Sequence, residues 1–206
     1  MKHSFIRALT VGGAALSLLV ANASAVIVFS NGTPAPALSP TIGNTLVNFD
    51  ELPTNSALAA NQYASVGIAS IVNLQTPALG VYAGSQSQPN YVGTGAGVGW
   101  AADILITFSS LQSQIGIGIA DDPTTFQIWG DNNVLLGTHM NSGSNFYQII
   151  TSNAADIRAI QITSTFVAID DIQFTDNGGR VPDSGFSVIL LGMGLAGLAG
   201  LRRKLG

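Results

Sequence analysis

The 206-residue chain has no cysteine and few basic residues, and residues 45–175 contain no segment with a helical period. The lack of cysteine excludes disulfide bonds and thiol chemistry, so stability must come from a hydrophobic core or a metal ion. Lysine and arginine number 7, against 11 aspartate and glutamate residues. Residues 26–181 keep two basic and ten acidic residues, a formal charge of −8. Nucleic-acid binding requires clustered lysine and arginine residues that contact the phosphates. Because this region has only two basic residues, we exclude nucleic-acid binding.

The N-terminus has the pattern of a secretory signal peptide over residues 1–25. Lys2 and Arg7 form a basic region, an apolar stretch follows at 8–20, and Ala23 and Ala25 form a small-residue cleavage site. We expect signal peptidase to cut after Ala25 and leave an exported mature chain.

The C-terminus carries three signals in a fixed order: a polar motif, an apolar run and a basic end. The motif consists of Val181, Pro182, Asp183, Ser184 and Gly185. The apolar run, residues 186–201, predicts a transmembrane helix slightly short of the roughly 20 residues that span a bilayer. Flanking residues can supply the missing length by snorkelling. The basic end is formed by Arg202, Arg203 and Lys204. Because these charges stop transfer, the chain before the motif is expected outside the cytoplasm.

This tail, residues 181–206, resembles the PEP-CTERM class of bacterial sorting signals, in the variant whose motif reads Val-Pro-Asp-Ser-Gly. The resemblance implies recognition by an exosortase, a membrane-embedded transpeptidase-like enzyme, and an association with exopolysaccharide. It also implies a protein held transiently in the inner membrane of a Gram-negative-type bacterium, then displayed on the surface or secreted. The alternative is an ordinary membrane anchor preceded by a chance turn.

Between the two ends, short strands separated by turns predict an all-β fold. Residues 104–108 form a clear strand, and residues 115–119 alternate isoleucine with glycine, which predicts a strand with one closely packed face. Turn signals recur about every ten residues. We predict a single antiparallel β-sandwich, jelly-roll-like, over residues 45–175. A linker or edge segment at 26–44 precedes it, and a linker at 176–180 joins it to the tail.

Two acidic pairs lie at opposite ends of this predicted sandwich, Asp50 with Glu51 and Asp170 with Asp171. The first and last strands of a jelly roll often lie side by side, so the pairs are expected to meet. Alternation places Asp170 and Asp171 on opposite faces, so one of them points among apolar side chains. A calcium ion would relieve the cost of burying that carboxylate. The alternative is that both carboxylates sit at a strand end, solvated or bonded to backbone.

A second resemblance bears on the same residues. Residues 49–51, which read Phe-Asp-Glu, and residues 169–172, which read Ile-Asp-Asp-Ile, are similar to jelly-roll modules of the galactose-binding and MAM type. The resemblance implies a structural calcium between the first and last strands. Its carboxylate ligands would be Asp50, Glu51, Asp170 and Asp171.

Aromatic side chains are the candidates for sugar binding, because the apolar face of a sugar ring stacks on an aromatic ring. Tyr91 and Trp100 flank a glycine-rich loop and are expected on one exposed edge. Trp129 lies in a strand-like run and is expected in the core.

These observations favour a non-catalytic function. We expect an exported surface or matrix protein that acts as a carbohydrate-binding module of the exopolysaccharide layer. The alternatives are a structural matrix or coat protein without sugar specificity, and a secreted glycan-active hydrolase. His139 is the one histidine outside the predicted signal peptide, and no Gly-x-Ser-x-Gly motif accompanies it, which disfavours a Ser-His-Asp hydrolase.

Overall fold

The computed structural model describes residues 25–33, 41–75, 78–84, 87, 89–94, 102–120 and 123–175. These residues form twelve strands and two short 3-10 turns, at Ala64–Val66 and Asp131–Asn133. The strands are β1 (Ile27–Gly32), β2 (Thr45–Val47), β3 (Ile68–Asn73), β4 (Gly80–Ala83), β5 (Asn90–Gly93), β6 (Ala102–Gln112), β7 (Gln114–Ala120), β8 (Thr124–Trp129), β9 (Leu135–Asn141), β10 (Phe146–Ser152), β11 (Ile157–Ser164) and β12 (Ala168–Phe174).

The strands build two antiparallel sheets. The seven-stranded sheet has the order β1, β10, β7, β12, β5, β4, with β2 also paired to β12, and the five-stranded sheet has the order β3, β6, β11, β8, β9. From β6 to β12 the chain passes repeatedly from one sheet to the other, as it does in jelly rolls. The prediction of a single antiparallel β-sandwich is confirmed.

Alternating side chains explain the core between the sheets. In β6 the buried residues Ile104, Ile106 and Phe108 alternate with the half-buried Leu105 and Thr107. This period of two is expected of a strand that covers a core on one face and meets solvent on the other. The buried isoleucines of β7 and β11 belong to the same cluster.

Strand β7 is covered on both faces, and its glycines make this possible. Ile115 and Ile117 belong to the main core, whereas Tyr147 and Ile42 belong to a second small cluster. A Cβ on Gly116 would approach Ile42 Cδ1 to 2.7 Å and Tyr147 Cε1 to 2.8 Å. The close packing predicted from the glycine alternation is therefore confirmed.

Strand β1 belongs to the seven-stranded sheet. It pairs with β10 from Ile27, opposite Ser152, to Gly32, opposite Tyr147. Just before the strand, the backbone N–H of Val26 donates to Asn153 Oδ1 at 3.0 Å. The segment predicted as a linker or edge thus supplies an edge strand.

Both predicted targeting segments lie outside the described residues. At the N-terminus this applies to Ala23 and the rest of the signal peptide except Ala25. At the C-terminus it applies to the sorting motif, the apolar run and Arg202, Arg203 and Lys204. Within the described ranges, no helix has the length and apolar character needed to cross a membrane.

Candidate functional site

Asp170 and Asp171 lie where β12 changes its neighbour. Along one edge β12 pairs first with β5 and then with β2, and the two aspartates fall between these pairings. Along the other edge, the register with β7 shifts between Asp170 and Gln173. Asp171 has a φ of 47°, in the left-handed region that non-glycine residues seldom adopt. The strand therefore carries a β-bulge at its acidic pair.

The bulge overturns the prediction that the two carboxylates face opposite sides. Ser87 Oγ lies 3.1 Å from Asp170 Oδ2 and 3.1 Å from Asp171 Oδ1. The backbone N–H of Ser87 also donates to Asp170 Oδ2 at 2.9 Å. A serine hydroxyl has one hydrogen, so it donates to one carboxylate at a time. Both contacts are hydrogen bonds only when one carboxyl group is protonated and donates to Ser87.

Burial decides the protonation of this pair. Asp170 is 0% exposed and Asp171 2%. Burial raises the pKa of Asp170 to about 7; the charge of Asp171 adds to the shift, and hydrogen bonds from Ser87 oppose it. Burial likewise raises the pKa of Asp171, with a further rise from the charge of Asp50. Asp170 can therefore hold a proton up to near neutral pH.

Asp50 and Glu51, the other predicted acidic pair, have separate hydrogen-bond partners in the structure. Asp50 accepts hydrogen bonds from the backbone N–H of Asn90 at 3.1 Å and from Asn48 Nδ2 at 2.7 Å. Its charge contributes to the raised pKa of Asp171. Glu51 is exposed and accepts a hydrogen bond from the Tyr63 hydroxyl at 2.6 Å. Asp50 thus interacts with the buried pair through its charge, and Glu51 is hydrogen-bonded to Tyr63.

The region offers the oxygen donors that calcium prefers, but few of them are carboxylates. Among the described residues, no three aspartate, glutamate, histidine or cysteine side chains are grouped closely enough to hold a metal ion. Oδ2 of Asp171 is buried and has no hydrogen-bond partner in this part of the chain. A calcium ion would satisfy that oxygen, together with Asp170, Ser87 and backbone carbonyls. Calcium binding stays a prediction.

The aromatic candidates have different surroundings. Tyr91 is half-buried on β5, and its ring centroid lies 5.7 Å from that of Tyr82, its cross-strand neighbour. The two rings are inclined by 38°, so they pack against each other. Trp100, the other predicted sugar-binding residue, lies outside the described residues.

Trp129 is not a core residue, contrary to the prediction. It directly follows the buried Ile128, so strand alternation places it on the outer face of the five-stranded sheet. This alternation is visible in the sequence, and it is the signal that would have found the residue. Trp129 borders a cavity of about 260 Å³, whose other lining residues include Leu105, Thr107, Asn133, Arg158 and Gln161.

The fold defines the described part of the chain as an antiparallel β-sandwich module. The chain also carries the VPDSG-CTERM motif, whose family model matches residues 180–205. This motif indicates an exported, membrane-transiting protein that is processed by exosortase-type sorting machinery. The resemblance noted in the sequence is thereby confirmed over the tail.

One solved structure resembles the chain, "Structure of CsCBM6-3 from Clostridium stercorarium in complex with cellobiose". The sequences are 15% identical, the match covers 66% of this chain and 98% of that one, and the TM-score is 0.32. No curated protein matches the chain.

Proposed function

We propose that the chain is an exosortase-processed protein of the cell surface or extracellular matrix whose β-sandwich is a non-catalytic, polysaccharide-binding module. The observation that supports export is the match to the VPDSG-CTERM motif at residues 180–205, which includes the apolar run and the basic end. After signal peptidase cleavage, the inner membrane holds the protein by this tail until the exosortase acts. The sandwich is then displayed on the surface or released.

The charge of the module narrows the class of polysaccharide. Arg158 is the one lysine or arginine in the part of the chain that the structure describes, and it is paired with Asp131 at 2.8 Å. A module with a formal charge of −8 between its two targeting segments repels uronate-rich or sulfated chains. Neutral exopolysaccharide is therefore the class of ligand that we propose.

A hydrolase is disfavoured by the surroundings of the groups that would catalyse the reaction. The carboxylates of Asp170 and Asp171 are buried and share a contact with Ser87, so a glycan has no access to them. His139 stacks on Phe29, with ring centroids 4.5 Å apart and ring planes 18° apart. The buried carboxylates and the stacked imidazole are both engaged in contacts within the fold. This favours a binding or structural role over catalysis.

We also propose that one calcium ion stabilises the module at Asp170 and Asp171. The unpartnered, buried Oδ2 of Asp171 supports this proposal, because an unsatisfied charged oxygen is costly in the interior. The role is structural, since the site is closed to a glycan.

Export and binding call for separate experiments. Intact mass of the protein from its native cell should correspond to a chain that begins at Val26 and has lost the apolar run. In a strain without exosortase, the tail should remain. The purified protein should bind a neutral polysaccharide in a panel that also contains alginate as the acidic comparator. Export without any polysaccharide binding would favour a structural coat or matrix protein.

A further inference from the structure

The cavity beside Trp129 lies on the outer face of the five-stranded sheet, away from the core. Its volume of about 260 Å³ is just below the ~300 Å³ at which small-molecule pockets usually begin. It is therefore large enough for one small ring and too small for an extended oligomer. Three adjacent strands, β6, β11 and β8, supply its floor.

The cavity exists because a small residue separates two larger ones across the sheet. Ala159 on β11 pairs with Thr107 on β6 and with Trp129 on β8, so the three form one row. In the next row Gln161 pairs with Leu105. The methyl group of Ala159 leaves a depression beside the indole, and the floor is largely apolar.

The wall of the cavity is held by an arginine with several fixed contacts. Arg158 Nε donates to Asp131 at 2.8 Å, and Nη1 donates to the carbonyl oxygens of Phe108 and Ser109 at 3.2 and 3.1 Å. These contacts join the turn after β8 to the second half of β6. In that turn Asn133, which lines the cavity, has a φ of 58°.

Trp129 has one polar atom that the described part of the fold leaves without a partner. Nε1 of Trp129 is buried and has no hydrogen-bond partner among the described residues. An unsatisfied buried donor costs about 1–3 kcal/mol. The half-buried indole lines the cavity and is the aromatic surface that a ligand there would meet.

We infer that this cavity binds one residue of a neutral polysaccharide, with the apolar face of the sugar ring against Trp129. This inference rests on the proposed polysaccharide-binding function and names its site. The amide groups of Asn133 and Gln161 offer donors and acceptors for sugar hydroxyls at the rim. The charge of Arg158 is compensated by Asp131, so the site lacks the free cation that a uronate or phosphate requires.

The test uses full-length protein in a zwitterionic detergent without a sugar headgroup. Dissociation constants for cellulose oligosaccharides, xylan and dextran are compared between wild type, Trp129→Ala and Ala159→Leu. The second variant fills the cavity without removing any group. Thr138→Leu is the matched control, because it adds bulk to an exposed position of β9 outside the cavity lining. Tyr91→Ala tests the site that the sequence predicted.

Both cavity variants should weaken binding at least tenfold, Thr138→Leu should bind as wild type, and circular dichroism should show all variants folded. In wild-type protein the polysaccharide should shift the Trp129 indole N–H resonance, assigned with Trp100→Phe. The inference is overturned if Ala159→Leu binds normally, or if only Tyr91→Ala loses binding, while polysaccharide binding itself still stands. If wild type binds no polysaccharide, the proposed function fails together with its site.

Discussion

At the scale of single residues, Asp170 shows the strongest conflict between burial and charge. Burial raises its pKa to about 7, whereas an aspartate in the unfolded chain titrates near 3.8. Between these values the native state keeps a proton that the unfolded state has lost, so the free energy of unfolding falls as pH rises from about 4 to 7. Above pH 7 this contribution is level. The whole change is at most about 4 kcal/mol, at about 1.4 kcal/mol per pKa unit.

We therefore expect the Tm in EDTA to be several degrees higher at pH 5 than at pH 8. Thermal unfolding followed by circular dichroism measures this directly. Asp170→Asn removes one of the two carboxyl groups with a raised pKa and should reduce the pH dependence, whatever its effect on absolute stability; Asp171 accounts for the remainder. Wild-type protein that is equally stable at both pH values would show that the native pKa is not raised.

Calcium should replace the proton at this pair. At pH 8, saturating calcium should raise the Tm of wild-type protein and EDTA should lower it, since a ligand at 100 times its dissociation constant stabilises by about 2.7 kcal/mol. The effect should shrink at pH 5, where protons compete for the same oxygens.

Two variants assign the calcium response to residues. Asp171→Ala should abolish it, because it removes the carboxylate whose Oδ2 has no partner. Glu51→Gln is the matched control and should keep it, because the structure places Glu51 with Tyr63. A melting curve of wild-type protein that is identical in calcium and in EDTA would rule the ion out.

At the scale of elements, the glycines of β7 let one strand serve two clusters. Gly116→Ala would place a methyl group against the hydroxyl of Tyr147 and within 2.7 Å of Ile42 Cδ1. Neither neighbour can move freely: both are buried, and the Tyr147 hydroxyl donates to the Asp171 carbonyl at 3.2 Å. Overpacking of this kind costs about 1–3 kcal/mol. We expect a lower midpoint in urea unfolding.

A second glycine supplies the control for this prediction. In Gly143→Ala the new methyl group would meet Asn141 Oδ1 at 3.2 Å and Phe146 Cδ1 at 3.8 Å, in an exposed turn. That variant should unfold within about 0.5 kcal/mol of wild type. Equal stability of Gly116→Ala and wild type would mean that the Tyr147 cluster is loosely packed.

Strands β8 and β12 show how far the sequence predicts this molecule. Alternation and turn spacing predicted the sandwich, because a period of two follows from strand geometry alone. The orientation of the Asp171 side chain was predicted wrongly. The bulge lies where β12 stops pairing with β5 and begins pairing with β2, and a local sequence pattern does not reveal which strands pair. Trp129 was misplaced for a different reason. Its outward orientation follows from its alternation with the buried Ile128, which the sequence shows. The cavity beside it depends on the register of three strands, which the sequence does not show.

At the scale of the whole molecule, charge is segregated along the chain. Five of the seven lysine and arginine residues lie in the two predicted targeting segments, and the module between them is acidic. The tail was readable from sequence because its signal is linear, with motif, apolar run and basic end in order. The proposed polysaccharide site is formed by residues that folding brings together from three strands, so composition alone could not locate it.

The basic end should decide whether the tail is held for processing. Positive charges stay on the cytoplasmic side of the membrane. In the triple variant Arg202→Gln, Arg203→Gln and Lys204→Gln, the C-terminal segment should therefore pass completely through the bilayer or insert without a fixed orientation. Intact mass and cell fractionation should then show protein with an uncut tail. Arg202→Lys with Arg203→Lys keeps all three charges and should be processed as wild type. Normal processing of the glutamine variant would show that the motif and apolar run suffice, and that the charges serve no stop-transfer role.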